Sequence, residues 1–89
     1  MRAVITVIGK DMVGILAKVS NECANVHINI TEVTQSILQD LFAMIMLVDI
    51  SNSTVSFEEL VDRMNKLGQT QNLKIHAMHE DIFNSMHRI

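Results

Sequence analysis

At 89 residues the chain is too short for two cores, and 48% hydrophobic against 19% charged residues is too apolar for a disordered one. A formal charge of −3, with seven scattered Lys and Arg, leaves no basic stripe for phosphates and argues against direct nucleic-acid binding. One cysteine excludes an internal disulfide and fits a reducing cytoplasm, and the longest apolar run, Leu41 to Val48, is far short of the roughly 20 residues of a membrane span.

A chain of this size hides only about 60–65% of its unfolded surface, so a partner subunit would help it. Ala3 to Ile8 lacks a small-residue cleavage site and reads as a strand, apolar on both faces and so central, not as a signal peptide. From Met12 the period changes. Ile15, Leu16, Val19, Cys23 and Val26 recur at helical spacing, predicting about four turns with Lys18, Asn21, Glu22 and Asn25 on the wet side.

"HINITEVTQSIL" returns to period two, with Ile28 and Ile30 in one phase and Val33 and Ile37 in the other. The slip near Thr31 and Glu32 predicts a bulge, bend or late strand start. Gln39 and Asp40 read as a hairpin turn, followed by a second doubly apolar, central strand ending at Asp49.

Ser56 to Gly68 is the clearest helix. Ser56 and Glu59 form a capping box, Val55 staples onto Leu60, and Gly68 stands where a left-handed terminating residue belongs. "LKIHAMH" alternates as an edge strand. The tail "EDIFNSMHRI" puts Ile82, Phe83, Met86 and Ile89 on one helical face.

The order is strand, helix, strand, strand, helix, strand, plus a short C-terminal helix. It predicts an α+β, ferredoxin-like βαββαβ sandwich: a four-stranded antiparallel sheet with two helices on one face. Right-handed crossovers place the first and third strands centrally, as their hydrophobicity requires. The opposite face is then bare and apolar, to be covered by the terminal helix, a second subunit, or both.

The turn "GKDMVGI" is the most suggestive stretch. Gly9 can leave the strand with positive φ, Asp11 can cap the helix, and Gly14 lets a ligand or backbone approach the helix start. Free N–H groups there attract a carboxylate, and Lys10 adds charge. The same residues are also explained as a tight strand-to-helix connection whose glycines only make the backbone geometry possible. Asn29 offers an amide that can serve a ligand at the same end of the sheet as this turn, or satisfy local backbone; Gln35 and Thr31 are weaker versions of the thought.

His27, His76, His79, His87 and Cys23 invite a metal reading, but His76 and His79 fall on opposite faces of a strand. Cys23 lies on a buried helical stripe, and no nucleophile pairs recognisably with a base. Neither catalytic residues, a metal site nor a cofactor is expected, and the chain does not read as an enzyme.

On the residues "ITVIGKDMVGILAKVS", "NI" at 29–30, Gln35, "FAMIMLV" and the C-terminal "LGQTQNLKIHAMHEDIFNSMHRI", the chain resembles the ACT domain family. Within it, the chain looks like the short stand-alone UPF0237 proteins of bacteria and archaea, and the likeness extends to the ACT regulator of glycine cleavage genes. The resemblance implies a regulatory homodimer that binds an amino acid or similar small ligand between the first turn of one chain and the second strand of its neighbour. Carried over, it nominates Lys10, Asp11, Met12, Val13, Gly14, Ile15 and Leu16 on one side and Asn29 and Ile30 on the other. It also implies an unidentified partner protein and no membrane. Residues 1–79 would form the domain and 80–89 an amphipathic tail on the sheet or the partner subunit. Docking without a ligand, through the Met-rich sheet or the tail, is the alternative, and a metal-responsive module a third.

Overall fold

The computed structural model describes residues 1–10 and 14–86. In chain order the elements are β1 (Arg2–Lys10), α1 (Ile15–Asn25), β2 (Asn29–Leu38), β3 (Leu41–Asp49), α2 (Phe57–Gln71), β4 (Lys74–His79) and α3 (Glu80–Met86). The sheet order is β2-β3-β1-β4 with every neighbouring pair antiparallel, so the two doubly apolar strands are central as predicted. This is the ferredoxin-like α+β sandwich that the sequence predicts.

One face of the sheet carries Ala3, Ile5 and Val7 of β1 with Phe42, Met44, Met46 and Val48 of β3. These pack against Ile15, Val19 and Cys23 of α1 and Leu60 and Met64 of α2 to make the core. The other face carries Val4, Thr6 and Ile8 beside Leu47, Ile45 and Ala43, with Met78, His76 and Lys74 of β4 alongside.

That open face is partly covered. Val4 points away from α1 and α2 yet is only 3% exposed, and α3 contacts β1 and β4. Arg2, on the same face as Val4, holds Glu80 of α3 at 2.8 Å. The terminal helix therefore lies across the Arg2 end of the open face. Ile8, Leu41 and Ile45 remain exposed beyond it.

The predicted phase slip is a bulge between Ile30 and Glu32. Thr31 is the extra residue, and its hydroxyl donates to the Leu47 carbonyl at 2.9 Å. Gln39 turns the hairpin with φ 58°. Ser56 caps α2 by accepting the Glu59 N–H at 3.1 Å. The capping box is only half formed, because the Glu59 carboxylate accepts from Arg63 at 3.0 Å.

The glycines act differently from expectation. Gly9 is inside β1 and has no positive φ; a Cβ there would run into the Leu73 side chain, so its role is to admit Leu73. Gly14 takes the left-handed conformation instead, at φ 83°. It is the N-cap of α1, which makes the helix eleven residues long, nearer three turns than four. Asp11, the expected cap, lies outside the described residues. Gly68 does not end α2 either: the helix runs to Gln71, and Asn72 adopts the left-handed cap at φ 57°. A Cβ on Gly68 would sit 2.7 Å from the Leu73 carbonyl oxygen, so the missing side chain lets α2 close onto the start of β4.

Candidate ligand-binding site

The opening of α1 begins where β1 ends. Lys10 is exposed at the strand terminus, and Gly14 is exposed with open space around its Cα. The Gly14 carbonyl accepts from the Lys18 N–H at 3.0 Å and closes the first helical turn. Ile15 is buried and anchors that turn in the core, while Leu16 faces outward. Lys18 Nζ donates to Gln71 Oε1 and ties the turn to the end of α2. Asp11, Met12 and Val13 lie outside the described residues.

Among the described residues no side chain caps α1, and its first turn carries no acidic residue. The partial positive charge of its first N–H groups is thus not offset by a carboxylate from that turn. This is an opening chemically suited to a carboxylate.

Asn29 is exposed, and Ile30 is half-buried and paired with Val48. The register puts Asn29 opposite Asp49, which in turn faces Arg2, whereas Lys10 faces Leu41. Asn29 and the glycine turn therefore stand at opposite ends of the sheet, about 25 Å apart at ~3.3 Å per residue. The expectation that they share one end of the sheet is corrected: a single chain does not bring them to one small molecule. Gln35 is exposed midway along β2, and Thr31 is engaged in the bulge.

His79 stacks its ring on Phe57 at 4.0 Å, on the helix side of β4, while His76 faces the open side. His27 is exposed at φ 59° in the turn after α1, and His87 lies outside the described residues. Among the described residues no three His, Cys, Asp or Glu side chains converge.

Cys23 is fully buried, and burial with the neighbouring Glu22 carboxylate pushes its thiol up to about 11. A pKa raised above its ordinary value of 9.0 adds stability that is complete below pH 9 and is lost as pH rises toward 11. Native protein at pH 8 is accordingly expected to resist iodoacetamide. Alkylation followed by mass spectrometry should show modification only in step with urea unfolding, and rapid native labelling would contradict the burial.

The sequence reading missed a cleft, of about 610 Å³, at the Lys10 end of the sheet, between the last residues of β1 and the connection from α2 to β4. Ile8, Lys10, Leu41, Asn72, Leu73 and Lys74 contribute to its walls. Among the described residues neither Lys10 nor Lys74 has a carboxylate within ion-pair distance. The outward phase of Lys10 and Lys74 on adjacent strands was the available signal.

This fold defines a small α+β module, a four-stranded antiparallel sheet packed against two helices. The family model described as "ACT domain" matches residues 2–78, and the chain belongs to the ACT domain family. It is 48% identical over 89 residues to a UPF0237 protein of Listeria innocua, covering all of both chains. It is 47% identical over 88 residues to one of Methanocaldococcus jannaschii, covering 99% of this chain and 98% of that one. Among solved structures it resembles an ACT domain protein from Streptococcus pneumoniae, with a TM-score of 0.82, 38% identity and 93% of each chain covered. ACT domains are typically small-molecule-binding regulatory modules, consistent with a protein that is not an enzyme. No described helix is long and apolar enough to cross a membrane.

Proposed function

We propose that the chain is a cytoplasmic, non-enzymatic sensor that binds an amino acid between two copies of itself and reports the bound state to a partner protein. The N-terminus of α1, which no described side chain caps, carries the reading. Its N–H groups and Lys10 hold the ligand carboxylate, with residues 11–16 forming the wall and Asn29 and Ile30 of the neighbouring copy closing the far side.

The edge strand β2 supports a side-by-side pair. Its ten residues carry one charge, Glu32, and Val33 and Ile37 are exposed. Such an edge is a template for another strand. Antiparallel pairing of β2 about Gln35 sets Val33 against the partner's Ile37 and carries Asn29 toward the partner's Leu41 end, where the partner's β1 hands over to α1. In this reading residues 1–79 are the sensor, and the tail, 80–89, is a docking arm.

Isothermal titration against each proteinogenic amino acid tests the proposal. One of them is expected to bind with a submillimolar Kd, and Asn29→Ala should weaken it by about tenfold, the loss of one good hydrogen bond. Absence of heat with every amino acid at millimolar concentration overturns the sensor and leaves a ligand-free docking module.

A further inference from the structure

We propose that α3 of one copy docks in the cleft beside Lys10 and Lys74 of a second copy, and the reverse, to form a reciprocal twofold contact across the open face of the sheet. The contact is separate from the β2 edge and needs no ligand.

The helix and the cleft match in three respects. Ile82 and Met86 of α3, one turn apart, are 54% and 65% exposed, although Phe83 beside them is half-buried. The cleft offers exposed Ile8 and Leu41, with Ile45 next along β3. Burial of these five side chains joins two apolar surfaces that one copy cannot cover.

Charge agrees with shape. The first turn of α3 is acidic, with Glu80 and Asp81. Glu80 is engaged by Arg2, but among the described residues Asp81 has no cation within ion-pair distance. Lys10 and Lys74 of the cleft likewise have no carboxylate within ion-pair distance among the described residues. Opposite charges left over on the two surfaces favour that pairing and disfavour cleft against cleft.

Position decides the symmetry. α3 lies over the Val4 and Met78 end of β1 and β4, and the cleft lies at the Ile8 and Lys74 end of the same two strands. A twofold axis between the faces, perpendicular to the strands, exchanges those ends. The rows are four residues apart, about 13 Å, and a helix with its side chains is about 10–12 Å across. Two α3 helices therefore fit side by side in one layer between the two sheets, each touching both.

Paired cysteines test this directly. Within one chain, positions 74 and 81 are separated by the length of β4, about 16 Å, too far for a disulfide. Buried Cys23 does not compete. Lys74→Cys mixed with Asp81→Cys should give a covalent heterodimer under mild oxidation, while Asn21→Cys, on the outer face of α1, should not link to Asp81→Cys. Absence of the 74–81 product at 100 µM protein, a concentration on the order of many weak dimer constants, overturns the proposal. In the unlinked protein, Lys74→Glu and Asp81→Lys should each weaken association about tenfold, and the double variant should restore it; equal weakening in the double variant also overturns it. None of these measurements uses a ligand or β2, so they fail or succeed independently of the amino-acid sensor.

Discussion

Met46→Ala is expected to lower the stability of the chain by about 3 kcal/mol, read as a shift in the urea midpoint at constant m-value. Met46 is wholly buried on the central strand β3, opposite Ile5 and Val33, and it forms part of the core under the helices. Truncation removes its contacts and leaves a hole that a sheet held on both sides cannot close. A domain of this length has roughly 5–10 kcal/mol to lose, so the melting temperature should fall by about 12–24 °C. Ile37→Ala is the contrasting case, because Ile37 is 64% exposed. In dilute protein its effect should stay within about 0.5 kcal/mol. An equal loss from both substitutions would contradict the assignment of the two faces.

Gly14→Val should raise the ligand Kd at least tenfold while leaving the mass of the assembly unchanged. The residue holds φ 83° in open space, so bulk is tolerated but the torsion is not. A β-branched side chain resists that conformation by about 1–2 kcal/mol or more. The helix start then reorients, and its N–H groups no longer converge on the carboxylate. Titration calorimetry and light scattering on the same preparation separate the two effects. Loss of binding and of assembly together would make Gly14 architectural, and retention of both would remove it from the site.

Most of the framework was legible because burial repeats with a period. The double apolarity of β1 and β3 announced central strands, and the slip between Ile30 and Val33 announced the bulge. Glycine was harder to read, because the residue supplies two freedoms and local sequence does not say which is in use. Gly9 and Gly68 both make room for Leu73, a neighbour that only the finished packing reveals. Gly68 looked like a helix terminator for the same reason, while Asn72 takes that position.

Asn29 shows a different failure. β1 and β2 flank β3 and run parallel to each other, so the start of β2 belongs with the start of β1, at the end away from the glycine turn. The topology already implied this, and the local pattern concealed it. The cleft at Lys74 was less accessible still, since it needs β1, β3 and the end of α2 in place at once.

The use of glycine as a spacer has a cost elsewhere in the chain. His27, Gln39 and Asn72 are left to make three sharp reversals with left-handed backbones that side chains disfavour by roughly 1 kcal/mol or more each. Those corners are a latent reserve: the module can be hardened by glycine at its bends without touching its interior, its sheet edge or the mouth of its first helix.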